Sequence, residues 1–359
     1  MDAYRILAIN PGSTSTKVAV YFNQESRFLK TIRHPLEDLN KFKRIVDQSG
    51  FRKKIILEEL EKGDTKVEYI SAVVGRGGIL KPVESGIYEV NEEMRKDMIE
   101  CTYGEHASNL GGLIAYNIAI SFKNKKVRAF IADPTVVDEF QEVSRISGHP
   151  KFERRSIFHA LNHKAMGRAY ANFLGRKYEE LNLIIVHMGG GISVAAHQKG
   201  RVIDANQALD GDGPFTPERS GTLPAGDLAR LCFSGKYPLD YVMKMIKGKG
   251  GMIAYLGTND AYEAGLKAEN GDKKTILILN AMAYQIAKEI GAMGAVMKGN
   301  VDAIILTGGI AHNSMIVDYI KTMVAHIAKV VVYPGEDEME ALVMNALMVM
   351  KGEVECKVY

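Results

Sequence analysis

The chain has 359 residues, 46% hydrophobic and 25% charged, with no tryptophan and a formal net charge of +3. That length exceeds the usual growth of one hydrophobic core and points to two domains, while so small a charge argues against nucleic acid or an anionic membrane as partner. Three cysteines without metal-ligand spacing fit neither a disulfide framework nor a zinc site and favour a reducing cytoplasm. No run reaches the ~18 apolar residues of a membrane span, and MDAYRILAIN, with an acid at position 2, does not read as a secretion signal.

Residues 6–21, ILAINPGSTSTKVAVY, are two apolar β-branched runs around turn chemistry, which predicts a β-hairpin. The grammar returns at 183–204, where LIIVHM meets Gly189-Gly190-Gly191, ISVAAH follows, and RVID makes a third strand. At 301–314, VDAIILTGGIAHNS predicts a strand, a Gly308-Gly309 turn and the start of a helix. Helical spacing marks 163–181 and 276–299, and DEMEALVMNALMVMKG closes the chain as an amphipathic helix expected to pack on the N-terminal domain. Strands alternating with helices give an α/β class, and the repeated strand-glycine units predict two similar domains.

The loop at 10–17 combines successive backbone N–H groups, the hydroxyls of Ser13, Thr14, Ser15 and Thr16, and Lys17, a set of donors suited to phosphate. It is not a Walker loop, since Gly-x4-Gly-Lys-Ser/Thr is absent and a strand follows; taken alone, an ordinary hairpin explains it equally well. Three consecutive glycines between strands at 189–191 are poorly explained by packing and predict a close approach to the backbone. The Gly308-Gly309 junction suits a nucleotide phosphate or ribose. Arg76 in VVGRGGIL, Asp133 in AFIADPTVVDE and Arg219 in GPFTPERSGTLP stand in loop contexts, where a surface ion pair is the plainer account of each. His159 and His187 fit a satisfied core histidine equally well.

The stretches NPGSTSTK, GEHASNLGGLIA, SRISGHPKFERRSIFHALNHKA, HMGGGISVAAH, RVIDANQALDGDGPFTPERSGTLPAGDL and YPGEDEM resemble the acetate kinase family of acyl-phosphate-forming kinases, in its butyrate branch, from residue 6 to about 350. The resemblance implies a duplicated two-domain actin-like, ribonuclease H-like fold with mixed sheets, flanking helices and an active site in the cleft between domains. It implies a first domain of residues 1–135 with about 338–359, and a second of 136–337. The implied reaction is reversible transfer of the ATP γ-phosphoryl group to butyrate, with Mg²⁺, in a cytoplasmic homodimer or larger homo-oligomer; the alternatives are a kinase for another short or branched carboxylic acid (isobutyrate, propionate, acetate) and a conformational ATPase of the same fold.

Residue by residue, the resemblance makes Asn10, Ser13, Ser15 and Lys17 the first phosphate loop, and His187 with Gly189, Gly190 and Gly191 the second. Arg76 and Arg219 would hold carboxylate and phosphoryl group, Asp133 matches an active-site aspartate, and His159 the histidine that contacts the phosphoryl group in transit. Gly308, Gly309 and Ile310 match the adenosine-binding turn, with Asp260 on the nucleotide side; Tyr262 departs from the arginine usual there. Within the acidic run Glu336-Asp337-Glu338, Asp337 is the carboxylate expected at the metal, together with Asn10. Gly78 stands where the acetate branch carries a branched apolar side chain, which implies a roomier acyl pocket walled by Phe158 and Pro217.

Overall fold

The computed structural model describes residues 3–65, 67–122, 126–335 and 337–359, which divide into two compact units: Met1–Val137 with Asp337–Tyr359, and Asp138–Glu336. The first is built on a six-stranded mixed sheet of β1 (Arg5–Pro11), β2 (Ser15–Phe22), β3 (Glu25–Arg33), β4 (Ala72–Arg76), β5 (Ile87–Glu89) and β6 (Arg128–Ala132), in the order β3-β2-β1-β4-β6-β5. The expected hairpin is present: β1 and β2 run antiparallel with Asn10 opposite Lys17. Next to it β4 is parallel to β1, and β6 parallel to β4. Leu7, Ile9, Val18 and Val20 are buried in this unit's core with Ile56, Leu60 and Ile114.

The second unit carries β7 (Asn182–Met188), β8 (Ile192–Gln198), β9 (Arg201–Ala205), β10 (Ala303–Gly308) and β11 (Val330–Pro334), ordered β11-β10-β7-β8-β9. Read from β9, this plan is that of the first sheet read from β3: three antiparallel strands, then two parallel crossovers. The short β5 is the first sheet's addition. The duplication expected from the strand-glycine units is therefore real at the level of topology. β7 is buried at every position, as a central strand covered on both faces should be.

The helices differ from the sequence expectation mainly at their ends. The helix expected over 163–181 spans Ala160–Phe173, and a separate 3₁₀ turn follows at Tyr178–Glu180; Gly175, at φ 64°, breaks the run. The long helix covers Lys273–Val296 and starts on an Asp272 side-chain cap. The last helix, Glu338–Met350, belongs to the first unit and packs on β1, β2, β4 and β6. Among the described residues no helix is long and apolar enough to cross a membrane, and all three cysteines are free.

Candidate active site

In the first unit, Asn10 is the last residue but one of β1, Arg76 ends β4, and Glu338 opens the last helix. Their side chains meet. Arg76 Nη1 donates to Glu338 Oε2 at 3.2 Å, Asn10 Nδ2 donates to the same oxygen, and Asn10 Oδ1 lies 3.5 Å from Arg76 Nη1. The Glu338 side chain is 8% exposed and that of Arg76 22%, so the pair is partly shielded from water. Asp337, the carboxylate expected at the metal, is spent differently: its Oδ1 caps the helix by accepting the Glu340 N–H at 3.0 Å. One residue of helical register separates the two roles, and the inward position belongs to Glu338. Glu336 lies outside the described residues.

Arg76 stays in place because strand and helix touch backbone to backbone. A Cβ on Gly111, in the helix Asn109–Ala119, would lie 2.8 Å from the Arg76 nitrogen, and a Cβ on Gly75 would lie 2.9 Å from the Gly112 nitrogen. The same close packing recurs at Gly78, where a Cβ would lie 2.6 Å from Asn109 Cα. The absent side chain lets the turn sit on the helix start, where Ile79 N–H donates to Asn109 Oδ1 at 2.8 Å.

The 10–17 loop holds a residue that sequence reasoning missed. Arg52 is fully buried and donates to the carbonyls of Gly12 (2.8 Å), Ser13 (2.9 Å) and Ser15 (3.0 Å). Three oxygens that would repel an anion are thereby turned inward, onto a cation. Ser13 and Lys17 are exposed and Ser15 half-buried. Thr16 is not available: its hydroxyl is buried between His34 Nε2 at 2.9 Å and Arg52 Nη1 at 3.2 Å. No local pattern marks Arg52, whose role depends on a contact 37 to 40 residues away in the chain.

Asp133 follows β6, is 2% exposed, and adopts φ 37°, a left-handed conformation rare for a residue with a side chain. Its Oδ1 accepts from Ser85 Oγ at 2.6 Å and Gly86 N–H at 2.8 Å, and its own N–H donates to the Gly86 carbonyl at 2.9 Å, so hydrogen bonds hold the strained turn.

In the second unit the glycine loop and Arg219 fit together. Gly189 N–H bonds the Gly191 carbonyl at 3.0 Å, and the Thr216 hydroxyl donates to the Gly190 carbonyl at 2.7 Å while accepting Arg219 N–H at 3.0 Å. Thr216, also missed from sequence, thus ties the Arg219 turn to the glycines. A Cβ on Gly191 would lie 2.7 Å from Arg219 Cζ, so the close approach predicted for this loop is made by the guanidinium. Arg219 Nη1 also donates to the Ala208 carbonyl.

His159, at the start of the helix Ala160–Phe173, stacks on His187 with ring centroids 3.9 Å apart. His187 Nδ1 bonds Asn162 Oδ1 at 3.0 Å, and His159 Nδ1 bonds Ser193 Oγ at 2.9 Å. Phe158 is buried edge-on against His163 at 5.2 Å, and Pro217 is buried beside the Thr216 turn. Gly308 takes φ 91° at the end of β10, where a Cβ would lie 2.7 Å from the Met188 carbonyl carbon; Gly309 and Ile310 begin a 3₁₀ turn. Asp260 is exposed and caps the helix Ala261–Glu269 through the Tyr262 and Glu263 N–H groups. Capping accounts for its carboxylate, and Tyr262 points into solvent at 76% exposure.

Among the described residues no three or more His, Cys, Asp or Glu side chains form a metal cage. A Mg²⁺ carried by nucleotide phosphates asks for less, one or two oxygen ligands from the protein. The hard oxygens of Glu338 and Asn10 fit that demand.

Each unit carries the same sheet plan, with an arginine, Arg76 in the first and Arg219 in the second, and the second adds glycine turns at its strand ends; the relatives of this chain are phosphotransferases that act on a carboxylate. The acetokinase family profile matches residues 150–343. Over 99% of both chains, the sequence is 55% identical to butyrate kinase 1 and 52% identical to butyrate kinase 2 of Clostridium acetobutylicum. The chain belongs to the acetokinase family. Its fold is that of the acetate kinase of Porphyromonas gingivalis (TM-score 0.76, 20% identity, 97% of this chain and 100% of that one) and of a propionate kinase from Francisella tularensis (TM-score 0.75, 17% identity, 95% and 98%).

Proposed function

We propose that this enzyme is a butyrate kinase, transferring the γ-phosphoryl group of Mg-ATP to butyrate and releasing butyryl phosphate and ADP. The observation that carries the reading is 55% identity to a butyrate kinase across 99% of the chain. The site chemistry supports it. A carboxylate nucleophile is already ionised at neutral pH, with a pKa near ~4 to 5, so the reaction needs no strong base. Its obstacle is electrostatic: an anion must approach a polyphosphate, and charge spreads over the equatorial oxygens in the transition state.

The assigned groups answer that obstacle. Arg76 and Arg219 present planar forks that match carboxylate or phosphoryl oxygens two at a time. Glu338 occupies one edge of Arg76, which fixes the fork and leaves its remaining N–H groups for the substrate. His159 donates a hydrogen bond to the phosphoryl group. The turns at 12–15 and 189–191 supply backbone N–H donors, and Gly308 to Ile310 take the nucleoside. A bound Mg²⁺ would neutralise phosphate charge, with Glu338 and Asn10 as its protein-side partners. Each preorganised donor of this kind is worth roughly 2.7 to 4 kcal/mol of barrier.

The test is acyl phosphate formation from Mg-ATP with formate, acetate, propionate, butyrate, isobutyrate and valerate, trapped as hydroxamate. A maximum at butyrate is the expected result. A maximum at another acid keeps the chemistry and changes the substrate, and ATP hydrolysis without any trapped product rejects the reading.

A further inference from the structure

Behind His159 runs a line of hydrogen bonds that the reaction as described does not use. Ser193 Oγ lies 2.9 Å from His159 Nδ1 and 2.8 Å from His163 Nε2. His163 Nδ1 lies 3.2 Å from His197 Nε2, and His197 Nδ1 lies 2.5 Å from the Tyr178 hydroxyl. Ser193, His163 and His197 are fully buried and Tyr178 is 4% exposed. The line is built into the fold: Ser193 and His197 share β8, His163 sits one turn after His159, and Gly167 makes room for the phenol, since a Cβ there would lie 2.5 Å from the Tyr178 ring.

We infer that Tyr178, His197, His163 and Ser193 form a positioning relay that sets the tautomer of His159, keeping its proton on Nε2. Each neutral imidazole carries one N–H and one bare nitrogen, so a line of them has a single sense and its end chooses it. The phenol is a stronger acid than a neutral imidazole N–H and donates to His197 Nδ1. The His197 proton is then on Nε2 and goes to His163 Nδ1. His163 carries its proton on Nε2 and gives it to Ser193 Oγ, whose own hydrogen turns to His159 Nδ1. The remaining acceptor position of Ser193 takes the His159 backbone N–H at 3.4 Å, so the hydroxyl is fully used. Burial drives the pKa values of His163 and His197 well below the ordinary histidine value, with Lys164 adding to the effect, so neither gains a second proton that would break the sense.

The consequence bears on the phosphoryl group. Its oxygens only accept hydrogen bonds, so a neutral His159 serves it only with the proton on Nε2. His187 is held the other way, since Asn162 Oδ1 accepts from its Nδ1.

The inference rests on the proposed role of His159 in phosphoryl transfer, but its first readout does not. In protein labelled with ¹⁵N-histidine, long-range ¹H–¹⁵N spectra report each tautomer, and the His159 signals are those lost in His159→Asn. The wild-type enzyme should show His159 protonated on Nε2; protonation on Nδ1 overturns the relay whatever Tyr178→Phe does. In Tyr178→Phe, His159 should become a mixture of tautomers and kcat should fall roughly 10- to 100-fold, the usual range for lost supporting hydrogen bonds. KM for ATP and for the carboxylate should stay within about twofold, because the assigned binding groups are untouched. An unchanged tautomer with wild-type kcat in Tyr178→Phe also overturns it. Failure of the functional reading would look different, as wild-type enzyme making no acyl phosphate at all.

Discussion

The guanidinium of Arg219 occupies the space that a side chain at Gly191 would fill, with Arg219 Cζ 2.7 Å from an ideal Cβ there. Gly191→Ala should therefore act as an arginine mutation at a distance. The expected result is a fall in kcat on the order of 100-fold, as for loss of one transition-state donor, with little change in melting temperature. Arg219→Ala combined with Gly191→Ala should cost scarcely more than Arg219→Ala alone. Additive losses in that cycle would show that the glycine serves something else.

Glu338 and Asp337 are adjacent carboxylates with separable duties. Glu338→Gln should lower turnover strongly by removing the partner of Arg76 and Asn10. Asp337→Asn, which can still cap, should leave activity intact, and Asp337→Ala should cost about 1 kcal/mol of stability with activity near wild type. Steady-state kinetics and chemical denaturation of the three variants decide the assignment; a reversed pattern would return the role to Asp337.

Gly78→Val tests whether that position limits acyl chain length. With Asn109 where the new side chain must go, the expected outcome is destabilisation of about 1 to 3 kcal/mol and no shift of preference toward acetate. A clean swing to acetate in a protein of normal stability would support the pocket role.

Arg52→Met takes the guanidinium from the Gly12 and Ser13 carbonyls, while the Ser15 carbonyl keeps the Gly12 N–H at 2.8 Å. Each unsatisfied group costs about 1 to 3 kcal/mol where it is buried, so a loss of about 2 kcal/mol or more is expected. KM for ATP should rise in whatever fraction folds, because the loop's carbonyls are free to turn outward. Arg52→Lys should recover stability only in part, since an ammonium cannot reproduce the fork. Native KM in Arg52→Met would detach this residue from the nucleotide.

Two groups tilt stability against pH in opposite senses. Burial, with Arg52 nearby, lowers His34 to about 4; its contribution is complete above the unfolded value near 6.5 and is lost as pH falls toward 4. Burial, aided by Asp212 and Asp204 and opposed by Arg154, raises Glu289 to about 7. The protonated form is favoured in the fold, so Glu289 supports stability below about 4.5 and ceases to as pH rises through 7. Glu289→Gln should accordingly stabilise the protein at pH 8 by up to ~3 kcal/mol, at 1.36 kcal/mol per unit, and the gain should vanish near pH 4.5. A pH-independent difference between variant and wild type would place Glu289 in water.

Much of this protein was legible in its sequence because the relevant signals are local. The β1–β2 hairpin announces itself by alternating apolar runs around Pro11-Gly12, and β7 and β8 do so around three glycines. Gly308 needs its left-handed φ whatever surrounds it. Helix ends were less legible: the run after Phe173 keeps its apolar spacing, yet Gly175 stops the helix before Tyr178, which is thereby free to reach His197.

What the sequence by itself determined is the class of fold and its duplication, both carried by short motifs and strand periodicity, together with the arginines, histidines and glycine turns proposed to handle phosphate. Tertiary structure alone decided which neighbour of a motif faces inward and what fills the space beside a glycine. Glu338 rather than Asp337 meets Arg76 because helical register turns one inward and leaves the other at the cap. Gly78 yields to Asn109, Gly191 to Arg219 and Gly167 to Tyr178 because close packing assigns each missing Cβ to a residue distant in the chain. Arg52 and the Tyr178 relay were invisible for the same reason: a buried polar group is defined by partners that only folding brings within 3 Å or so.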